Sequence, residues 1–265
     1  MSEYVDNGPR LIAPAEFPLW IVEEDDDVIV LNKPGDIVCH PSKNGPWSSL
    51  VGACREHLQL PRVHMIYRLD RETSGVMVFA KNSPMAGRLQ TAVEGRRVSK
   101  LYLAILCGEL RGPVVVDAPL GRDLSSPIVA RQAVVRGPEG RPAMTEFLPV
   151  ACGGGYTLAR VRPRTGRQHQ IRVHAAELGC PILGDKMYGP DQLLFLEFIR
   201  DGFTPRLASL LTLPRHALHA LEMRFEPGEG GRTFRAPLTP DLRAFARERM
   251  GLDEATLAAA ERADA

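Results

Sequence analysis

Residues 67–81 read Tyr-Arg-Leu-Asp-Arg-Glu-Thr-Ser-Gly-Val-Met-Val-Phe-Ala-Lys, and the reading of this stretch decides the fold. Its second half, Val76 to Ala80, is an unbroken apolar run of strand length, which predicts a strand buried on both faces. Its first half, Arg68 to Ser74, is polar and predicts a loop leading into that strand. One carboxylate, Asp70, stands there among Arg68 and Arg71, with Glu72 beside them. Chemistry resides more readily on such a loop than on the strand behind it. Taken alone, though, a charge run of this kind is more often a solvated turn with weak ion pairs.

Upstream, residues 28–39 (VIVLNKPGDIVC) predict two short β-runs around a turn, with Pro34 presetting φ and Gly35 taking the positive φ of a type II turn. Ser48 or Ser49 can cap a helix whose apolar positions are Leu50, Val51, Cys54 and Leu58, with Pro61 beyond its end. Downstream, Asn82 or Ser83 followed by Pro84 starts a helix, and Met85, Leu89, Ala92 and Val93 give it one apolar face as far as Gly95. Strand-like runs follow at 100–107, 113–116, 128–135, 143–150 and 156–161, separated by turns containing Gly or Pro. Residues 168–178 predict a helix ended by Gly179 and Pro181, and a strand at 217–225 and a helix at 240–250 close the chain. The alanine-rich stretch after Leu252 predicts a fraying tail. Groups of consecutive strands with interspersed helices indicate an α+β fold rather than a regular βαβ repeat.

The 265 residues include 33 Lys+Arg and 32 Asp+Glu, with 44% hydrophobic and 25% charged residues, the proportions of a soluble globular chain. A chain of this size removes roughly 70–75% of its extended surface from water on folding. Its core therefore needs no staples, and the five cysteines, odd in number and without a Cys-x-x-Cys pair, read as reduced, mostly buried thiols. No apolar run reaches about 18 residues, and the N terminus has neither a basic start nor an apolar centre. Membrane spans and secretory signals are therefore not expected, and the cytoplasm is the expected location. The net charge of +1 hides a segregation: residues 23–27 read EEDDD, whereas 147–176 contain no acidic residue. That segment carries Arg160, Arg162, Arg164, Arg167, Arg172, His169 and His174, which predicts a local cationic surface for phosphates. The alternation of Arg160, Arg162 and Arg164 equally fits the solvent face of a strand.

Common catalytic templates are absent. There is no Walker-type phosphate loop, no Gly-x-Gly-x-x-Gly after a strand, and no Gly-x-Ser-x-Gly elbow. His169 and His174 are badly spaced for two ligands on one helix face, and His216 and His219 lack a carboxylate or thiol companion. Neither a metal nor a small-molecule cofactor is expected.

The 67–75 stretch resembles the signature of the RluA-type pseudouridine synthases, His-Arg-Leu-Asp-Arg-x-Thr-Ser-Gly followed by an apolar strand ending in Ala-Lys. Three further stretches match in the same order: LNKPGDIVCHPS at 31–42, VSKLYLAILCGEL at 98–110 and RTGRQHQIRVHAAELGCPILGDKMYG at 164–189. One departure is Tyr67, where the family usually has histidine. A second is the lack of room for the small basic RNA-binding module that many relatives carry at the N terminus.

The resemblance implies an α+β pseudouridine synthase catalytic fold, a mixed, largely antiparallel sheet with flanking helices and a central cleft. It would occupy residues 20–250, with an N-terminal extension at 1–19 and a C-terminal tail at 251–265. It implies an isomerase that converts uridine to pseudouridine in a ribosomal or transfer RNA stem-loop, acting as a monomer without cofactor or membrane. Asp70 is then the catalytic aspartate; attack on the sugar carbon, addition to the uracil ring and abstraction of a sugar proton all remain open as its route. Arg172 would hold Asp70 ionised against the effect of burial. Tyr102 and Ile171 would pack on the uracil ring, and Arg68 would fill the place of the extruded base. Leu69, Lys100, Arg167 and His169 complete the implied substrate-binding set, and the other arginines, with Lys33, Lys100 and His40, are expected to reach the RNA backbone. Two alternatives are weaker: a non-catalytic RNA-binding or chaperone-like protein on the same fold, and a glycosidase-like hydrolase using Asp70 with Glu72. The second fails because two positions along one loop seldom flank a sugar bond.

Overall fold

The computed structural model describes residues 10–40, 44–226 and 231–262. Its strands are β1 (Ile21–Glu24), β2 (Val28–Lys33), β3 (His64–Met65), β4 (Ser74–Ala80), β5 (Val98–Cys107), β6 (Val114–Asp117), β7 (Leu120–Arg122), β8 (Gln132–Val134), β9 (Met144–Gly153), β10 (Tyr156–Pro163), β11 (Leu218–Phe225) and β12 (Thr233–Arg235). Its helices are α1 (Leu50–Leu58), α2 (Ser83–Glu94), α3 (Gln170–Glu177), α4 (Leu193–Asp201), α5 (Pro205–Leu211), α6 (Pro240–Glu248) and α7 (Glu254–Glu261). The mixed, mostly antiparallel strand pairing and the flanking helices make the fold α+β. Among the described residues no helix is long and apolar enough to cross a membrane. The chain forms two compact units, one built from residues 8–100 with His219–Thr239, the other from Leu101–Leu218 with the residues from Pro240 onward.

In the first unit β4 is the central strand. It pairs antiparallel with β2, from Val28↔Ala80 to Lys33↔Gly75, and with β3, and parallel with β11 through His219↔Ser74 and Ala220↔Gly75. All seven β4 residues are buried, as the continuous apolar run predicts. Met77 and Phe79 pack with Ile29, Leu31, Leu50 and Cys54 in one core, and each such side chain contributes about 1.5–3 kcal/mol relative to exposure. Both expected helix caps are present: Ser49 Oγ accepts the Gly52 N–H at 3.2 Å and Asn82 Oδ1 accepts the Met85 N–H at 2.9 Å. The hairpin expected over 28–39 does not form, because β2 finds its partners in β1 and β4. At the turn Asp36, with φ 73°, takes the left-handed conformation in place of Gly35. Arg71 Nε donates to the Asp36 carboxylate at 2.8 Å and holds it there. The matched stretch at 31–42 ends in Pro41 and Ser42, which lie outside the described residues, as do residues 1–9 of the expected extension. From the rest of that extension Ile12 and Phe17 join the core.

In the second unit β5, β10, β9 and β6 form an antiparallel sheet, with β10 between β5 and β9. The strand expected at 128–135 shrinks to β8, paired with β7. Ile128 instead turns into a core with Leu120, Ala143, Val173, Met187 and Tyr188. Helices α4 and α5, not expected from the sequence, share a core of Leu194, Phe198, Leu207 and Leu211. The expected fraying tail is helix α7 instead, capped by Asp253 on the Thr256 N–H at 2.8 Å. Its Leu257 and Ala260 are buried.

Candidate active site

In the first unit the Asp70 loop is fixed from beneath by Lys33. The ammonium is fully buried and donates to the carbonyls of Pro34 (2.9 Å), Arg71 (2.8 Å) and Thr73 (2.7 Å), so all three of its protons meet backbone oxygen. The Leu69 carbonyl accepts from Cys39 Sγ at 3.4 Å and the Asp70 carbonyl from the Thr73 N–H at 3.1 Å. Burial raises the Asp36 carboxyl, and the adjacent Arg71 guanidinium works against that rise. At the exit from the loop Ser74 Oγ lies 3.0 Å from His219 Nδ1. Gly75, with φ 114°, then lets the chain enter β4, and a Cβ there would stand 2.2 Å from the Ala220 carbonyl oxygen. Asp70 therefore projects half-buried from a backbone held on both sides. Arg68 is exposed, with Nη1 3.4 Å from His40 Nε2, and Leu69 packs on the unit's core.

In the second unit a buried network surrounds Arg172 on α3. Its Nε and Nη2 donate to the two oxygens of Asp185 at 2.7 and 2.9 Å. Asp185 Oδ1 also accepts the Met187 and Tyr188 N–H groups, both at 3.0 Å. Burial alone would raise the Asp185 carboxyl, but Arg172, His216 and the Tyr188 N–H together hold it well below the usual carboxylate range. Gly184 precedes it with φ 76°, and a Cβ there would meet the Arg215 carbonyl oxygen at 2.2 Å. The Arg172 guanidinium carbon lies 4.9 Å from the centre of the Tyr188 ring, and that of Arg131 lies 5.2 Å from it. The Tyr188 hydroxyl accepts the Gln132 N–H at 2.8 Å and sits 2.8 Å from His169 Nδ1. Burial pushes this phenol up to about 12.

The expected site residues thus divide between the units: Arg68, Leu69, Asp70 and Lys100 in the first, and Tyr102, Arg167, His169, Ile171 and Arg172 in the second. Tyr102 and Ile171 are 8% and 7% exposed. Arg167 Nε donates to the Pro142 carbonyl at 3.1 Å, and its N–H is accepted by Gln170 Oε1 at 3.0 Å. Lys33, expected at the RNA backbone, is a buried clamp instead. The cationic surface expected over 147–176 is largely consumed within the protein. Arg160 donates to the Ala259 and Ala260 carbonyls at the end of α7, Arg164 pairs with Glu146, and Arg172 pairs with Asp185. His174 is fully buried between Thr145 Oγ1 (2.8 Å) and the Ala118 carbonyl (3.0 Å), and burial holds its pKa down. Asp185, Tyr188 and Gln132 were not singled out from the sequence. The first two lie within the GDKMYG end of the fourth matched stretch, which was the available signal.

A family model described as RNA pseudouridylate synthase matches residues 27–177. The ribosomal large subunit pseudouridine synthase D of Vibrio vulnificus (strain CMCP6) is 37% identical over 233 residues, covering 86% of this chain and 69% of that protein. The protein of the same name from Haemophilus ducreyi is 37% identical over 235 residues, 86% of this chain and 70% of its own length. Among solved structures, human RNA pseudouridylate synthase domain containing 4 matches with a TM-score of 0.70 at 24% identity, covering 89% of this chain and 95% of that one. Human RNA pseudouridylate synthase domain containing 1 gives 0.66 at 24% identity, covering 97% and 96%. These two structures share the fold.

Proposed function

We propose, from the premise that this chain belongs to the RNA pseudouridylate synthase family and is an isomerase converting uridine to pseudouridine in RNA, that its substrate is large-subunit ribosomal RNA and that Asp70 is its catalytic carboxylate. The names of the relatives support the substrate. The observation that carries the assignment of Asp70 is the loop itself, whose carbonyls at residues 69, 70, 71 and 73 are all tied down while the carboxylate side chain stands half-buried. Preorganisation of this kind holds a reacting group in place before substrate arrives.

The reaction breaks the N1–C1′ bond, forms C5–C1′, moves a proton off C5 and leaves one on N1, so nothing is gained or lost overall. Asp70 serves this exchange as an ionised oxygen base or nucleophile. Arg172 is the cation assigned to the reaction, with Asp185 and Tyr188 setting the plane of its guanidinium. Tyr102 and Ile171 offer the turning base an aromatic and an apolar face. Arg68, exposed and planar-headed, takes the stacking place of the uridine drawn out of the RNA, an extrusion that costs a few kcal/mol. Leu69, Arg167 and His169 complete the RNA contacts.

The substrate is tested by incubating the purified protein with unmodified transcripts of large-subunit ribosomal RNA and of transfer RNA and mapping pseudouridine by carbodiimide modification. Pseudouridine at defined positions of the ribosomal transcript is expected. Its appearance only in transfer RNA would overturn the substrate.

A further inference from the structure

We propose that His219 is a positioning residue for the Asp70 loop, acting through the Ser74 hydroxyl at the point where the loop enters β4. The inference rests on the assignment of Asp70 above and adds two residues to the machinery of the same reaction. Both side chains are fully buried in the first unit, and Ser74 Oγ lies 3.0 Å from His219 Nδ1. On its other edge the ring meets the Ala236 carbonyl, 3.0 Å from Nε2. A carbonyl only accepts, so Nε2 carries the hydrogen, and the neutral imidazole then offers Nδ1 as an acceptor. The chain of hydrogen bonds thus has a direction. Ser74 donates to His219, and His219 donates to Ala236.

His219 and Ser74 also face each other in the parallel pairing of β11 with β4, a ladder that spans His219↔Ser74 and Ala220↔Gly75. Pairing this short gives the exit of the loop little stiffness of its own. Three other contacts restrain the loop elsewhere. Lys33 holds the carbonyls of Arg71 and Thr73, the Thr73 N–H closes on the Asp70 carbonyl, and the Tyr67 hydroxyl donates to the Val76 carbonyl, drawing the entry to the exit. Gly75 supplies the φ of 114° that the exit requires, but glycine is also the residue whose backbone is least restricted. Ser74 is the last side chain ahead of that glycine and stands four residues from Asp70. Anchoring it on the His219 ring keeps the loop from pivoting there, and a displacement of about 1 Å at a reacting group can cost on the order of a hundredfold in rate.

The test compares single-turnover pseudouridine formation on a large-subunit ribosomal RNA transcript with RNA affinity and with amide exchange at Thr73, whose N–H closes the loop. Ser74→Ala removes the donor and lowers the rate about tenfold to a hundredfold, with affinity within about threefold of wild type. His219→Gln reaches the Nε2 position but leaves Ser74 without its acceptor, so it slows the reaction alike. His219→Asn carries an oxygen at the Nδ1 position and restores most of the rate. The double variant Ser74→Ala with His219→Gln is no slower than either single variant. Thr73 exchanges faster in Ser74→Ala and His219→Gln, and at the wild-type rate in His219→Asn. A wild-type rate in Ser74→Ala overturns the proposal, as do losses in His219→Asn and His219→Gln that are equal and follow their stability in urea. So does a double variant whose loss is the product of the single losses. Absence of pseudouridine from the wild-type protein would instead strike at the RNA-modifying reading, and the exchange pattern would still decide the role of His219.

Discussion

Arg172 and Asp185 form a two-pronged ion pair, Nε and Nη2 to the two carboxylate oxygens at 2.7 and 2.9 Å, with both side chains buried. The pair gives a guanidinium on α3 one orientation, and a residue thirteen positions along the chain sets it. Removing one partner leaves a buried charge without compensation, so Asp185→Asn is expected to cost about 3–5 kcal/mol of stability at pH 7. The Asp185 pKa is depressed from 3.8, so its contribution is complete above that value and is lost as pH falls through the folded-state pKa. Urea unfolding of wild type and variant at pH 7 and pH 3 should show the gap narrowing in acid.

The buried clamp at Lys33 makes a separate prediction. Lys33→Met would strand the Arg71 and Thr73 carbonyls beneath the catalytic loop, each at about 1–3 kcal/mol. The variant should lose roughly 3 kcal/mol or more in denaturant unfolding. In conditions where it remains folded, its single-turnover rate should fall further than its RNA affinity.

Gly75 stands where the loop becomes strand. Gly75→Ala places a methyl group 2.2 Å from the Ala220 oxygen at a φ of 114°. The parallel pairing of β4 and β11 must then open at Ala220↔Gly75. A loss of about 3 kcal/mol or more is expected, and amide exchange should speed up along the start of β4.

Lys100→Met is expected to act in the opposite direction. The folded pKa of this lysine is lowered from 10.5 to about 8, so the unfolded chain binds the extra proton between those values and stability rises with pH across that window. Below pH 8 the charged lysine weakens the fold. The methionine variant should therefore unfold at a higher temperature than wild type at pH 7, and the difference should shrink as pH rises from 8 toward 10.5.

Much of the first unit was legible in the sequence because its signals are local. The apolar run of β4, the Ser49 and Asn82 caps and the polar loop between Arg68 and Ser74 each depend on neighbours within a few residues. The readings that failed depend on distant partners. Asp36 takes the left-handed turn position with Arg71, thirty-five residues away, gripping its carboxylate. Arg160 alternates like a solvent-facing strand residue but donates to carbonyls at the end of α7. That contact, with the burial of Leu257 and Ala260, accounts for a helix where an alanine-rich tail was expected. Helix α4 begins at Gln192 without a side-chain cap, and its exposed Leu193, Leu196 and Ile199 beside buried Leu194 and Phe198 blur any single apolar face. For Arg172, the Asp185 pairing could not be foreseen because it depends on the turn after α3.

Asp70 bears the central claim, and its amide isostere tests it most directly. Wild type and Asp70→Asn are compared for RNA binding and for single-turnover pseudouridine formation on the same transcript. The account predicts unchanged folding, RNA affinity within a few-fold of wild type and no detectable pseudouridine. Pseudouridine formation by Asp70→Asn at a rate near that of wild type would contradict it.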